Sequence, residues 1–214
     1  MEKGFFVTFE GGEGSGKSLQ TRTLYHRLEK LLIPAILIHE PGSTSLGEKL
    51  SRLLKWGRNN EISPLAELLL FNASRAQLVQ EVVRPALSEG KVVICDRFMD
   101  STLAYQGYGR GIDISIINNA NRVATGGLLP DISFLLDIPV EEGLERKSTR
   151  ETNRFEQEEL AFHQRVRQGY LDLASADLER FVVINARLDK QIIAGIIWQQ
   201  VTERLKFRKI CTDK

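Results

Sequence analysis

A chain of 214 residues is long enough to form one compact domain with its own hydrophobic core. Its 29 lysines and arginines nearly balance its 28 aspartates and glutamates, which argues against nucleic acid or an anionic membrane surface as a partner. The two cysteines, Cys95 and Cys211, lack metal-ligand spacing and indicate a reducing compartment. No apolar run approaches the roughly 18 residues of a membrane span, so we expect a soluble, cytoplasmic protein.

Five short apolar runs alternate along the chain with longer segments of helical periodicity. The runs are "FFVTF" (5–9), "AILIH" (35–39), "VVICD" (92–96), "ISFLLD" (132–137) and "FVVINA" (181–186). They are continuous rather than alternating, which is typical of strands buried on both faces of a parallel sheet. Leu19 to Leu32 and Leu65 to Leu87 have helical spacing. The order predicts a doubly wound α/β fold, a five-stranded parallel sheet with helices on both faces.

The octet "GGEGSGKS", residues 11–18, lies between the first predicted strand and the first predicted helix. It fits the pattern G-x-x-x-x-G-K-[ST], in which glycines let backbone N–H groups wrap closely around a phosphate chain. We expect Lys17 to meet the outer phosphates and the Ser18 hydroxyl to bind Mg²⁺. The octet therefore predicts a P-loop NTPase fold whose triphosphate site comprises Gly11, Gly12, Glu13, Gly14, Ser15, Gly16, Lys17 and Ser18.

A second segment, "ERKSTRETNRFEQEE" (145–159), is almost wholly polar and carries four basic residues. It is either a solvated helix face or loop tip, or a lid that closes over a charged substrate. We interpret residues 146–157 as a short mobile lid within a single kinase domain of residues 1–206. Residues 207–214 are predicted to be a frayed C-terminal tail.

Six blocks of the chain resemble bacterial thymidylate kinases in order and near-spacing. They are "FEGGEGSGKS" (9–18), "EPGST" (40–44), "LLLFNASRAQ" (68–77), "CDRFMDSTLAYQG" (95–107), "TGGLLPDISFLLD" (125–137) and "RFEQEELAFHQRVRQGYLDLA" (154–174). The resemblance covers most of the chain. It implies a phosphotransferase that moves the γ-phosphoryl group of ATP to dTMP with Mg²⁺ as cofactor, giving dTDP and ADP in dTTP biosynthesis. It also implies a homodimer.

The resemblance assigns an acceptor site for dTMP. It implies that Phe71 stacks on thymine while Arg75, four residues later on the same helical face, reaches an exocyclic oxygen. Thr102 and Gln106 would face the base or sugar, and Tyr105 would lie beside the deoxyribose. The complete predicted set is Glu13, Glu40, Phe71, Arg75, Arg97, Ser101, Thr102, Tyr105 and Gln106.

The phosphates and the metal ion are assigned to residues that follow buried strands. Asp96 is expected to orient Mg²⁺ through water, together with Ser18. Arg97 would bind the acceptor phosphate, because its planar guanidinium can bond two oxygens at once. The resemblance implies that Glu13, an acid inside the P-loop, accepts a hydrogen bond from the 3′-hydroxyl of the acceptor.

The remaining assignments concern the lid and the adenine. The P-loop contains no arginine, so the resemblance implies that Arg150 and Arg154 of the lid meet the γ-phosphate, as catalytic residues with Lys17 and Arg97. Arg146 would lie over the adenine, near Asn185 in "NARLD". His39 stands where the family commonly has an arginine that clamps the acceptor phosphate, and Arg52 is a nearby cation that could contribute.

Two other functions remain open from the residues. A deoxynucleoside kinase would phosphorylate a sugar hydroxyl, which requires a general base and leaves Arg97 without a phosphate partner. A non-catalytic P-loop protein would bind nucleotide without turnover, and it would leave Phe71, Arg75 and the basic segment unexplained.

Overall fold

The computed structural model describes residues 4–56, 62–147 and 153–212, with side chains through residue 205. Its strands are β1 (Phe5–Glu10), β2 (Ala35–His39), β3 (Val92–Asp96), β4 (Ile132–Asp137) and β5 (Phe181–Asn185). All pair in parallel, in the order β2-β3-β1-β4-β5. The predicted α/β fold with a five-stranded parallel sheet is confirmed.

The helices pack on both faces of this sheet. They are α1 (Lys17–Lys30), α2 (Ser45–Trp56), α3 (Pro64–Leu78), α4 (Arg84–Ser88), α5 (Met99–Thr102), α6 (Ile114–Thr125), α7 (Val140–Glu145), α8 (Leu160–Ala176) and α9 (Lys190–Thr212). Two π-helical turns, Val79–Val83 and Leu103–Gly109, continue α3 and α5. Within the described ranges, no helix has both the length and the apolar character needed to cross a bilayer.

One helical prediction differs from the structure in its boundaries, and the last helix enters the segment predicted to be a tail. The run predicted from Leu65 to Leu87 is α3, a π-helical turn and α4 in succession, because Val79–Val83 adopts the wider hydrogen-bond spacing. The final helix continues to Thr212, beyond residue 206, where we predicted a frayed tail to begin. No glycine or proline stands between residues 196 and 212 to end it. The division into one domain and a tail stays a prediction.

Strand β1 is central, and its side chains alternate between two cores. Phe5, Val7 and Phe9 pack with α1 and α9, whereas Phe6 packs on the opposite face with the segment that includes Val79 and Val83. Every side chain of β1 is buried because both faces of the sheet are covered, which explains why buried and solvent-facing residues do not alternate along the strand.

The strand order places the functional residues at one edge of the sheet. Strand β1 pairs with β3 on one side and β4 on the other, so the loops that follow β1 and β3 leave the sheet at neighbouring positions. The backbone N–H of Arg97, immediately after β3, donates to the carbonyl of Phe9 at 2.9 Å. A cleft outside the carboxyl ends of the strands is the usual ligand site in open α/β sheets.

Candidate active site

The P-loop folds as a tight turn between β1 and α1. Gly14 has φ +66°, and a Cβ atom at this position would lie 1.9 Å from the carbonyl oxygen of Gly143. Gly16 caps α1 in the left-handed region with φ +92°. A side chain is strained at both positions, so the glycines are required by the backbone that aims the N-terminus of α1 into the cleft.

Lys17 is the first residue of α1, and its ammonium group is held by the loop itself. Nζ donates to the carbonyl oxygens of Gly11 at 2.9 Å and Gly12 at 2.7 Å. Burial lowers the pKa of Lys17 to about 8, and the nearby guanidinium of Arg97 contributes to the same shift. A polyanion in the loop would supply the negative charge that this buried cation lacks.

Ser18 and Asp96, predicted from separate motifs to bind the metal, are in direct contact. Ser18 Oγ donates to Asp96 Oδ2 at 2.5 Å. A hydroxyl and a carboxylate are hard oxygen ligands, the type that Mg²⁺ prefers. Among the described residues, no group of three or more His, Cys, Asp or Glu residues could hold a metal ion. These donors suit an ion held largely by the phosphates of a nucleotide.

Arg97 lies at the centre of the site and reaches across the cleft to the P-loop. Its backbone has φ +70°, an unusual conformation for a residue with a side chain. Nη1 donates to the Gly11 carbonyl at 3.1 Å, and Nη2 donates to Glu13 Oε1 at 2.8 Å and to the hydroxyl of Tyr105 at 3.2 Å. The side chain is thus held in one orientation before any ligand binds.

Glu13 is surrounded by cations. Lys147 donates to its Oε2 at 2.7 Å, and Tyr105 donates to Oε1 at 3.0 Å. Burial by itself would raise the pKa of Glu13, but Arg97, Lys17 and Lys147 together hold that pKa well below its ordinary value. Glu13 is therefore a carboxylate that accepts hydrogen bonds.

One cleft of about 710 Å³ brings the predicted donor and acceptor residues together. Its lining includes Glu13, Gly14, Ser15, Gly16, Lys17, Ser18, Glu40, Phe71, Asp96, Arg97, Ser101, Thr102, Tyr105, Gln106 and Arg146. Phe71, on α3, also lines the cleft, and the centroid of its ring is 5.8 Å from that of Phe155. Two ligands, one phosphate-rich and one with a planar base, could occupy this cleft end to end.

The family model for thymidylate kinase matches residues 9–197. This chain belongs to the thymidylate kinase family. It is 50% identical over 197 residues to a thymidylate kinase of Dehalococcoides mccartyi strain CBDB1, covering 92% of this chain and 95% of that protein. It is 46% identical over 210 residues to a thymidylate kinase of Geobacter sp. strain M21, covering 95% and 93%.

A solved structure agrees with these relatives. The crystal structure of thymidylate kinase from Ehrlichia chaffeensis is 34% identical in sequence, with a TM-score of 0.76 that covers 94% of this chain and 99% of that chain. The match confirms the P-loop α/β fold predicted from the octet and the apolar runs. The roles of individual residues in this member of the thymidylate kinase family rest on its own geometry.

Arg75 lies beneath the lining of the cleft rather than in it. Its side chain is 1% exposed and donates to Glu40 Oε2 at 2.8 Å, to Asn121 Oδ1 at 2.8 Å and to Thr102 Oγ1 at 3.2 Å. Glu40 is buried as well and needs a cation, which explains why the guanidinium turns inward. A direct bond from Arg75 to thymine stays a prediction, and one of these bonds would have to be exchanged for it.

Arg154 also lies outside the lining of the cleft. Its Nη2 donates to Glu67 Oε2 at 2.5 Å and its Nε to the Leu54 carbonyl at 3.2 Å, so it joins the lid to α2 and α3. Glu67 is 1% exposed, and a buried carboxylate requires paired cations. In this conformation Arg154 is paired with Glu67 and does not line the cleft, and its contact with the γ-phosphate stays a prediction. Arg150, the other predicted lid arginine, lies outside the described residues.

The predicted adenine residues lie close together. Arg146 lines the cleft and donates from Nη1 to the Ala186 carbonyl at 3.1 Å, next to Asn185. Asn185 itself is exposed and is not part of the lining; its Oδ1 accepts from the N–H of Arg187 at 3.0 Å. This side chain shapes the loop, and its contact with adenine stays a prediction.

Three cations that line the cleft were not predicted as site residues: Arg22, Lys55 and Lys147. Lys147 contacts Glu13 and Glu156, and Lys55, at the end of α2, lines the cleft where we had considered the exposed Arg52. Burial lowers the pKa of Lys55, as does the charge of Arg97. The sequence pointed to Lys147 only as a member of the basic segment, and its residue type does not distinguish it from the other cations of that segment. Nothing in the sequence pointed to Lys55.

Proposed function

We propose that this chain transfers the γ-phosphoryl group of ATP to the phosphate of dTMP, forming dTDP and ADP. One observation carries the proposal: the P-loop and the Arg97 guanidinium open into the same cleft as Phe71. The P-loop suits a triphosphate, the guanidinium suits a second phosphate, and the phenyl ring suits a base. Family membership supports this assignment of the two ligands.

The reaction needs alignment more than proton transfer. The attacking oxygen of a nucleoside monophosphate is already anionic, so no strong general base is required. Catalysis then consists of holding two mutually repelling phosphates in line and spreading the charge that develops between them. Lys17 binds the outer phosphates of ATP, and Arg97, which donates to the same Gly11 carbonyl as Lys17, binds the phosphate of dTMP. The bonds of Arg97 to Gly11 and Tyr105 fix its direction before the substrates arrive.

Ser18 and Asp96 would hold Mg²⁺, since their contact of 2.5 Å brings two oxygen donors to the mouth of the P-loop. When bound, Mg²⁺ supplies neutralisation of charge on the transferring group. Asp96 would act through a bound water, and Ser18 would exchange its bond to Asp96 for the ion. Both side chains reach the cleft without rearrangement of the backbone.

We infer that the lid, residues 146–157, helps to exclude water from the cleft. Lys147 bridges Glu13 of the P-loop and Glu156 of the lid, and Phe155 packs at 5.8 Å from Phe71. A lid held over both ligands limits hydrolysis of ATP. Lys147 and Arg146 are the described lid cations nearest the nucleotide site, and Arg150 completes the proposed set. A contribution from Arg154 requires that it leave Glu67.

A coupled ADP-release assay tests the proposal. We expect ADP release with dTMP and far less with thymidine, with other nucleoside monophosphates or without acceptor. Lys17→Met should reduce turnover with dTMP about 10²-fold to 10³-fold. Lys30→Met, which changes an exposed lysine of the same helix, should keep normal turnover. Rapid ADP release with thymidine alone would favour a deoxynucleoside kinase, and nucleotide binding without release would favour a non-catalytic P-loop protein.

We further propose a homodimer and a cytoplasmic location. Four leucines on α2 and α3 are exposed by 43–55% and could pack against a second copy, namely Leu46, Leu53, Leu65 and Leu69. Analytical ultracentrifugation should give twice the mass of 24.2 kDa, and Leu53→Glu should reduce it to one chain. A cytoplasmic location fits a reaction that consumes ATP.

A further inference from the structure

A buried carboxylate, Glu67 on α3, contacts the side chain of Gln106 from behind the cleft. Glu67 is 1% exposed and lies one helical turn before Phe71. Its Oε1 accepts a hydrogen bond from Gln106 Nε2 at 2.7 Å. The cleft side of this pair is formed by Gln106, and Glu67 does not line the cleft.

We propose that Glu67 is a positioning residue that makes Gln106 selective for a pyrimidine with a hydrogen on N3. The inference rests on the proposed function, since it concerns the acceptor base. Glu67 fixes which end of the Gln106 amide faces the base. Gln106 then presents its carbonyl oxygen as an acceptor.

The chemistry of the pair leaves one orientation of the amide. A carboxylate only accepts hydrogen bonds, so the atom of Gln106 that faces it must be the NH₂ group. Arg154 Nη2 and Arg110 Nε also donate to Glu67, at 2.5 Å and 3.3 Å, so this carboxyl group acts as an acceptor toward all three side chains. A flipped amide would place two acceptor oxygens, Gln106 Oε1 and Glu67 Oε1, in contact in a buried site, where they repel each other.

The opposite end of the amide is available to a ligand. Gln106 is 1% exposed, so its side chain is confined, yet it belongs to the lining of the cleft with Phe71 and Thr102. Within the described part of the chain, no group donates to Oε1 of Gln106. This oxygen is the acceptor that an incoming base meets.

Thymine and cytosine differ at the atom that would meet this oxygen. N3 of thymine carries a hydrogen and donates, whereas N3 of cytosine has a lone pair and accepts. The Gln106 oxygen, held in place by Glu67, can accept a hydrogen bond from N3 of thymine but meets a second acceptor at N3 of cytosine. A hydrogen-bonding group left unpaired on binding typically reduces binding about 10-fold to 100-fold. The arrangement is therefore a filter for thymine or uracil against cytosine.

The competing explanation is that Glu67 serves only to neutralise two arginines. Arg154 and Arg110 tie it to the lid and to the turn after residue 109, and their loss would weaken the structure around the cleft. A purely structural role would change turnover of every acceptor by the same factor. The ratio of kcat/KM for dTMP to that for dCMP separates the two roles.

The test compares this ratio in three variants. In Glu67→Gln, residue 67 can donate as well as accept, so the Gln106 amide is free to turn, and we expect the ratio to fall about 10-fold or more. In Gln106→Met, which keeps Glu67 and both arginines, we expect a similar fall. Arg110→Gln removes one partner of Glu67 and leaves its bond to Gln106, so we expect the ratio of the wild type.

Unfolding curves for each variant show whether the protein is folded. An unchanged ratio in folded Glu67→Gln, or in Gln106→Met if Glu67→Gln does not fold, would overturn the inference. The combined variant should lower the ratio no further than either change alone. Failure of the proposed function would look different, because the wild type would then show no turnover with dTMP.

Discussion

Glu13 and Arg97 form an ion pair, with 2.8 Å between Oε1 and Nη2, that joins the P-loop to the residue after β3. Lys147 of the lid contacts the other oxygen of Glu13 at 2.7 Å. Glu13 of the P-loop therefore pairs with cations from two other parts of the chain, Arg97 and Lys147. It holds Arg97, the residue that we propose binds the acceptor phosphate, in a fixed direction, and we propose that the same carboxylate accepts a hydrogen bond from the sugar hydroxyl of the acceptor.

Glu13→Gln should destabilise the protein, because it leaves partly buried cations without their counterion. We expect a loss of about 3 kcal/mol in the free energy of unfolding at pH 7. Because the pKa of Glu13 is lowered in the folded state, this stabilisation is present above the unfolded value of 4.5 and is lost as pH falls below it. Urea unfolding at pH 7 and pH 4 checks this. Equal differences between wild type and variant at both pH values would contradict it.

The pKa of Lys17 predicts a change in ATP capture at alkaline pH. Since burial lowers this pKa to about 8, the free enzyme loses the charge of Lys17 as pH rises through that value. The pH profile of kcat/KM for ATP reports groups of the free enzyme, so it should fall above about pH 8, whereas kcat, measured with ATP bound, should fall later. In Lys17→Arg the guanidinium stays charged over this pH range, so the kcat/KM of any remaining activity should not fall near pH 8. A flat profile up to pH 10 in the wild type would contradict the prediction.

Ser18 and Asp96 should control the requirement for Mg²⁺. Ser18→Ala removes an oxygen donor, and Asp96→Asn weakens the carboxylate that orients bound water, so each should raise the Mg²⁺ concentration for half-maximal activity about 10-fold to 100-fold. Titration of Mg²⁺ at fixed ATP measures this. Thr23→Ala, an exposed hydroxyl on α1, is a matched control and should leave the titration unchanged. An unchanged requirement in both site variants would exclude these residues from the metal site.

Glu10, at the end of β1, should make stability depend on pH. It is fully buried and accepts from the N–H of Phe98 at 2.7 Å and from Ser101 Oγ at 2.6 Å. Burial, and then the charge of Asp100, raise its pKa from 4.5 to about 7. The folded state therefore holds this proton more tightly, and its contribution to stability is complete below pH 4.5 and is lost as pH rises through 7.

Glu10→Gln removes that titration. Between pH 4.5 and pH 8 the wild type should lose about 3 kcal/mol of unfolding free energy relative to the variant. The comparison uses the difference between two pH profiles, so the constant cost of replacing a hydrogen-bonded carboxyl cancels. Parallel profiles across this range would contradict a raised pKa for Glu10.

The strands and the P-loop could be predicted from sequence because their causes are local. Continuous apolar runs identify strands covered on both faces, and the glycine spacing of residues 11–18 specifies a turn that few other residues allow. Arg97 follows a buried strand, so the parallel sheet alone delivers it to the cleft. Ser18 and Asp96 come together for the same reason, although they are 78 positions apart.

The environments of the other arginines depend on partners distant in sequence. Helical spacing predicted that Arg75 and Phe71 share one face of a helix, and both lie on α3, but Glu40 and Asn121 accept hydrogen bonds from the guanidinium of Arg75 in the interior. Arg154 pairs with Glu67, 87 residues away. No pattern within the basic segment distinguishes an arginine that meets phosphate from one that neutralises a buried carboxylate, and Lys147 was overlooked for that reason.

The central claim is that a phosphoryl group moves from ATP to the phosphate of dTMP within this cleft. Phosphorus NMR of a mixture of the protein, ATP, Mg²⁺ and dTMP follows both substrates and both products at once. We predict that the dTMP resonance is replaced by the two coupled resonances of dTDP, in step with ADP and without accumulation of inorganic phosphate. ATP loss that yields inorganic phosphate while dTMP stays unchanged would contradict the account.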